Sequence, residues 1–428
     1  MQKLILVIVF LISGFAQAQL SQEEKKRGLE ELSDLLLKKY IYKEVAEEIQ
    51  EKLFSNLAEA RYDSISTGEE FAFRISQDLK QISSDLHLNL EYAPKHVSGA
   101  AEKQDETNPE DYINTVLEAS NYGVKEKMIL PGNVGYLELP LFGPLDKVAD
   151  TLIAAMEFVA DTDALIIDLR ECRGSMDPRT IPFLSGYFFE EPVHLSNFYT
   201  RETDKITQFW SAVYVPGKKY LKKPVYILSS GRTFSGGEGF AFQMKNQERA
   251  QIIGSTTRGG AHPTEWIRLN DLFAATVPYA TTIDPVDGSS WEGTGVKPHV
   301  EVKTQMALYE AHLLALDELK NNAEGEAKQK LTDIYREQKK NKPQFRTISF
   351  KLKGYPDAKK VALTGSFNSW ERESLLMQRK NGEWILETEV SPGEHTYMFI
   401  VDGKWINDPA NPEKKQEAEY LNSVLRVE

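Results

Sequence analysis

Apolar residues recur at helical spacing through the first part of the chain. Leu29, Leu32, Leu35, Leu36 and Leu37, then Phe71, Phe73, Ile75, Leu79 and Ile82, stand in a stretch rich in Glu, Lys and Leu. A period near 3.6 predicts a helical region over 19–97. Residues 98–112 (SGAAEKQDETNPEDY) are polar, and 98–125 reads as loop and linker. From 126 the texture changes. MILPGNVGYLELPLF predicts a strand, a turn and a strand, and 145–161 a helix. ALIIDLR (164–170), KPVYILSS (223–230) and RAQIIGS (249–255) are continuous apolar runs, as strands buried on both faces require. Strands alternating with helices predict an α/β core with a mainly parallel sheet over 126–305. Residues 306–343 read as a charged helix and linker. Over 344–428 the period falls to two. RTISFKLKG, KKVALTGSF, GEWILETEV, HTYMFIVDG and NSVLRVE, with turn residues between them, predict a separate all-β sandwich.

The 428 residues are 41% hydrophobic and 27% charged, enough apolar material for more than one core. A formal net charge of −13 argues against nucleic acid as a partner, because its phosphates are repelled. At the N-terminus Lys3 precedes nine apolar residues, Leu4 to Ile12, and Ala16-Gln17-Ala18 fits a small-x-small cleavage site. Residues 1–18 therefore read as a secretory signal peptide cut after Ala18, giving an exported, periplasmic or extracellular protein. Nine apolar residues cannot span about 30 Å of hydrocarbon as a helix, so no stable membrane span is expected after cleavage. The single cysteine, Cys172, excludes an internal disulfide; it reads as a small residue in a tight loop, since no neighbour in sequence lowers its pKa. No cysteine–histidine cluster has zinc spacing, and no metal or cofactor is expected.

The strongest local feature is Thr233-Phe234-Ser235-Gly236-Gly237-Glu238, which joins a buried strand to a helix. A serine there stands at a helix N-terminus, where free N–H groups and the dipole favour negative charge. That is where an oxyanion needs donors. The flanking glycines allow a sharp turn and close approach of a substrate. This is the logic of a nucleophile elbow, without the G-x-S-x-G motif; on local sequence alone, Ser235 reads first as a helix N-cap. A serine nucleophile also needs a base and a group that orients it. Among seven histidines, His87 in SSDLHLNLEY, His262 in GGAHP and His299 in VKPHV are candidates, and Glu292 in SSWEGTGV is a candidate acid.

DALIIDLRECRG, VYILSSGRTFSGGEGFAFQMKN, IIGSTTRGGAHPTEWIRLND and DPVDGSSWEGTGVKP, in that order, resemble the tail-specific (C-terminal-processing) peptidases. They are closest to the branch similar to interphotoreceptor retinoid-binding protein and the tricorn-type enzymes. The resemblance covers residues 20–305 and implies a ClpP/crotonase-like sheet with helices. It implies a peptide or protein substrate and an acyl-enzyme mechanism. Ser235 becomes the nucleophile, His87 the general base in a D-x-H-L segment, and Glu292 the orienting carboxylate. The N–H groups of Gly236 and Gly174 become the oxyanion hole. The positions of the Ser/Lys branch's lysine and acid hold Gly260 and Asn246, so a dyad is not expected. Cys172 stands where Asn is usual, Ser175 where a second Gly is common, and Leu86 where tricorn-type enzymes carry a serine. Because a namesake of this fold is a binder, an inactive protein holding a peptide or apolar ligand is the alternative.

GSFNSW (365–370), PGEHTYMFIVDGKWINDP (392–409) and Asn422 resemble the family 48 carbohydrate-binding module of glycogen-branching enzymes and the AMP-activated kinase β subunit, an immunoglobulin-like sandwich. The resemblance implies an α-glucan partner, with Trp370 and Trp405 offering flat faces to a glucose ring and Asn422 bonding hydroxyls. Met398 replaces a sugar-contacting lysine and Ala418 a leucine, so weakened glucan binding, a docking role or a glucan-associated scaffold is expected.

Overall fold

The computed structural model describes residues 19–95, 109–372, 374–417 and 420–428. Residues 1–18, expected to be a signal peptide, and Ala418 lie outside them. The chain divides into two compact units. The first holds the N-terminal part together with Thr200–Asp204 and Thr264–Ala280; the second holds the rest of the chain from Lys103 onward. Two segments that a linear division assigns to the α/β core thus belong with the N-terminal helices.

In the first unit, helices Gln22–Lys39, Lys43–Ala58 and Gly68–Ser83 are followed by strand Asn89–Tyr92. That strand pairs antiparallel with Phe273–Pro278, which pairs with Thr264–Arg268. Leu29, Leu32, Leu36, Ile49, Leu53, Phe71, Ile75, Leu79 and Phe273 are fully buried, whereas Phe73 falls on the exposed side of its helix. Ser21 begins the first helix with a capping box closed by Glu24, which satisfies N–H groups that lack an intrahelical acceptor. The other end is closed by Arg201, whose guanidinium donates to the carbonyls of Leu37, Lys38 and Tyr40 at 2.7–2.8 Å.

In the second unit a six-stranded sheet runs in the order Val300–Glu301, Gln251–Gly254, Val225–Ser229, Ala164–Asp168, Val134–Glu138, Glu126–Leu130. All neighbours are parallel except the last pair. Alternate side chains face opposite sides of such a sheet, and both sides are covered. Leu165, Ile167 and Ile227 pack with helices Leu145–Val159 and Gly236–Asn246. Ala164, Ile166, Tyr226 and Leu228 pack with helix Ala307–Asn322. Every residue of Ala164–Asp168 and Val225–Ser229 is buried, which explains why these strands appear in the sequence as unbroken apolar runs.

Part of the expected linker is structured. Pro109–Ala119 is a helix that carries Leu117 into the core beside Val148. Residues 306–343 form two helices, Ala307–Asn322 and Gly325–Lys340. The C-terminal sandwich closes around Phe350, Leu363, Phe367, Trp384, Tyr397 and Phe399. One of its sheets is Arg346–Lys353, Glu383–Val390 and Gln378–Lys380; the other is built around Gly393–Val401. The expected fold class, a helical region, an α/β core and an all-β sandwich, is the observed one. No helix among the described residues is long and apolar enough to cross a membrane.

Candidate active site

Parallel strands present their following loops at one edge of the sheet, where α/β folds bind ligands. The loop after Ala164–Asp168 carries Gly174, and the loop after Val225–Ser229 carries Ser235. The two are laced together. Ser230 Oγ donates to the Arg170 carbonyl at 2.6 Å, Thr233 Oγ1 to the Leu169 carbonyl at 2.8 Å, and the Phe234 N–H to the Cys172 carbonyl at 3.0 Å. Arg170 is fixed in turn by Asp168, which its guanidinium grips bidentately.

Ser235 has φ 51°, a region that non-glycine residues rarely occupy and that costs about 1–3 kcal/mol. It immediately precedes helix Gly236–Asn246, so the Gly236 N–H is one of the donors a helix leaves without an internal acceptor. Gly174 lies against it: a Cβ placed on Gly174 would stand 3.1 Å from Ser235 Cβ and 3.6 Å from the Gly236 nitrogen. Gly174 has φ 131°, open only to glycine at low cost. The structure therefore brings Ser235, Gly236 and Gly174 into one turn-and-loop junction. Ser175 fills the space above Gly236, its Oγ donating to the Asp177 carbonyl at 2.7 Å. Cys172 is wholly buried beneath, against Gly237, and burial pushes its thiol up to about 12. It is a packing residue here, as its loop position suggested.

Glu238, the last residue of the serine motif, organises the junction. It has no exposed surface. Its Oε2 accepts from the Ser235 N–H (2.8 Å) and the Gly260 N–H (2.9 Å), and its Oε1 from Thr257 Oγ1 (2.5 Å) and the Gly259 N–H (2.6 Å). Burial raises its carboxyl to about 7 against the pull of these four donors. The next residue along, Ala261, donates its N–H to Glu292 Oε2 at 2.5 Å. One carboxylate thus ties the serine turn to the strip of backbone that seats the second carboxylate. Trp291, buried, braces the same strip by donating its indole N–H to the Gly260 carbonyl at 2.8 Å.

Glu292 is partly exposed, and His262 Nδ1, on a side chain 1% exposed, stands 3.6 Å from its Oε2. His87 belongs to the first unit. There its backbone N–H donates to Asp85 Oδ1 at 2.9 Å, and its ring Nδ1 lies 3.9 Å from the same oxygen on a side chain 8% exposed. Asp85 also accepts from Tyr40 Oη at 3.2 Å. His299 is committed elsewhere, its Nδ1 accepting from the Ile252 N–H at 2.8 Å.

In the C-terminal sandwich the Trp370 and Trp405 rings lie 6.2 Å apart at 45°, and Trp405 is 39% exposed. Asn422 is only 4% exposed, its amide donating to Glu417 at 3.1 Å. Met398 lies buried in the sheet opposite Thr364.

Comparison with known proteins agrees with this anatomy. Residues 133–302 match peptidase family S41, residues 21–122 match the N-terminal domain of that peptidase in eukaryotic IRBP, and residues 348–428 match the glycogen recognition site of AMP-activated protein kinase. Over 69 residues, 16% of this chain, it is 35% identical to the AMP-activated protein kinase subunit β-1 of Sus scrofa, covering 55% of that sequence. It is 35% identical to the Homo sapiens subunit β-1 over 69 residues, covering 25% of it. The chain thus spans at most about half the length of these curated relatives. Similar solved structures include a lipoprotein from Streptococcus agalactiae (14% identity, 68% of this chain and 96% of that one, TM-score 0.46). They also include the photosystem II D1 C-terminal processing protease (13%, 66% and 94%, 0.42) and mature CPAF complexed with lactacystin (13%, 72% and 99%, 0.47). The chain belongs to peptidase family S41, with an IRBP-type N-terminal domain and a C-terminal module of the AMP-activated kinase glycogen-recognition type.

Proposed function

We propose that this protein is an exported serine peptidase with an accessory module that binds or docks on α-glucan. The observation that carries the reading is the Ser235 turn: a strained serine at a helix N-terminus, with Gly236 and Gly174 beside it, in a chain whose core matches a peptidase family. Ser235 Oγ attacks the peptide carbonyl, and the N–H groups of Gly236 and Gly174 receive the charge that develops on its oxygen. His87 takes the serine proton and returns it to the leaving amine, and Glu292 orients the imidazole. Water then hydrolyses the acyl-enzyme. His262, 3.6 Å from Glu292, holds that carboxylate in place.

Labelling of the mature protein with a fluorophosphonate, followed by peptide mapping, tests the assignment. Label is expected on Ser235, lost in Ser235→Ala and His87→Ala and retained at a reduced rate in His262→Ala. Label lost in His262→Ala but kept in His87→Ala would exchange the two histidines. A folded protein that takes no label would favour the inactive binding protein. Retention on amylose, lost in Trp370→Ala and Trp405→Ala, tests the module. Export predicts that the mature chain begins at Gln19, which intact mass of the secreted protein checks.

A further inference from the structure

The sandwich does not hang free of the peptidase core. Its turn at Ser366–Asn368 continues into Ser369 and Trp370, both left-handed at φ 52° and 56°, and then Glu371. The residues on either side of Trp370 grip the loop that leads to Ser235. Glu371 Oε1 accepts from the Gly231 N–H at 2.9 Å, from Thr304 Oγ1 at 3.1 Å and from Ser255 Oγ at 3.3 Å. The fit leaves no room, since a Cβ on Gly231 would stand 3.0 Å from the Glu371 carboxyl carbon. The Ser369 carbonyl accepts from Arg232 Nη1 at 3.2 Å, and the same nitrogen pairs with Glu171 Oε2 at 3.1 Å. Glu171 precedes Cys172 in the loop that carries Gly174. The turn therefore touches both loops of the serine junction, close in sequence to Ser235 and Gly174. Gln305, donating to the Phe367 carbonyl, and Lys303, paired with Glu389, hold the module from a third segment.

We propose that occupancy of the Trp370–Trp405 face by an α-glucan controls the reactivity of Ser235, making the protein a glucan-responsive peptidase. The inference rests on the peptidase reading above. Two adjacent non-glycine residues in the left-handed region are a strained turn, stable only where its surroundings hold it. A saccharide stacked on Trp370 and Trp405 fixes that turn from the sugar side, and Glu371 and Ser369 transmit its position to Gly231 and Arg232. The differential contact that coupling requires is the set of bonds made by Glu371 and Ser369, present when the turn is docked and lost when it is not. Saccharide thus favours the docked junction, in which Ser235, Gly236 and Gly174 are aligned.

The test measures the rate of fluorophosphonate labelling at Ser235 in the full mature protein, with and without maltoheptaose, alongside calorimetric titration of that saccharide. The labelling rate is expected to rise roughly fivefold or more, the lower end of effector couplings, with a midpoint at the saccharide Kd. In Glu371→Ala, which removes the acceptor of all three bonds, the saccharide still binds, up to roughly fivefold more weakly because the coupling is reciprocal, and the rise disappears. Ser255→Ala, which removes a single donor to Glu371, shrinks it. Saccharide binding with no change in rate would overturn the coupling while leaving the peptidase reading intact, as would a full response in Glu371→Ala. Absence of saccharide binding would overturn it on the sugar side, with labelling still standing. Absence of label on Ser235 under every condition would bring down the peptidase reading and the coupling together.

Discussion

A methyl group at residue 236 is a direct probe of the serine junction. In Gly236→Ala the new Cβ would lie 2.4 Å from Ser175 Cβ, 2.7 Å from the Ser175 nitrogen and 3.1 Å from its Cα. Carbon atoms in contact sit near 3.5–4.0 Å, so the two segments must part by about 1 Å. The loop cannot simply retreat. It is clamped by the Phe142 N–H donating to the Gly174 carbonyl at 2.9 Å and the Met176 N–H donating to the Phe142 carbonyl at 2.8 Å. Overpacking of this kind costs about 1–3 kcal/mol of stability. The larger effect falls on reactivity, because a shift of about 1 Å between reacting groups and their donors costs on the order of 100-fold. The second-order rate of fluorophosphonate labelling at Ser235, measured beside the urea midpoint, reads both. Ser175→Gly in the same chain removes the Cβ contact and leaves the backbone nitrogen at 2.7 Å, so it restores only part of the rate. Gly288→Ala is the control. It places an alanine at φ 72° with nothing within 4 Å, so it costs about 1–2 kcal/mol of backbone strain and leaves labelling unchanged. Labelling of Gly236→Ala at the wild-type rate would refute the reasoning, since the junction would then tolerate a separation that the geometry forbids.

Two further outcomes follow from the same structure. The Glu238 carboxyl titrates at about 7 when folded, against a value of 4.5 for the free group. Between those values the folded protein holds a proton that the unfolded chain has lost, so stability falls as pH rises through that window and is level above it. Glu238→Gln removes this slope, an effect of up to about 3 kcal/mol, read by urea denaturation at pH 5 and pH 8; an unchanged slope would contradict it. In the first unit, Arg201→Ala frees the three carbonyls at the end of Gln22–Lys39. It should cost about 1–3 kcal/mol, with earlier protease cleavage near Tyr40; a variant as stable and resistant as wild type would show that water replaces the cap without loss.

What the sequence disclosed and what it hid divide along a physical line. A strand buried on both faces is apolar at every position, so Ala164–Asp168 and Val225–Ser229 announced themselves, and with them the loops that carry Gly174 and Ser235. Helix Pro109–Ala119 had a signal too: Pro109 at its start, Glu110 and Asp111 in its first turn, and Ile113 and Leu117 one turn apart. Its polar surroundings masked it. Glu238 had no such signal. An acid three residues after a helix-capping serine is ordinarily half of a capping box at the surface, and this one does reach the Ser235 N–H. Its other three donors come from Thr257, Gly259 and Gly260, which only the fold brings near. The pairing of Asn89–Tyr92 with Phe273–Pro278 and the approach of His262 to Glu292 are of the same kind. Asn422 is the reverse case: the resemblance has it bonding sugar hydroxyls, yet it is 4% exposed and its amide donates to Glu417. Periodicity records which face of an element is buried, and so it gives the scaffold. The groups that tune the site are buried polar residues satisfied by distant partners, and a sequence states their identity without stating whom they meet. The region where local reading fails most often, 257–262 with Glu238 and Glu292, is for that reason the place where substitutions should change Ser235 reactivity without touching Ser235.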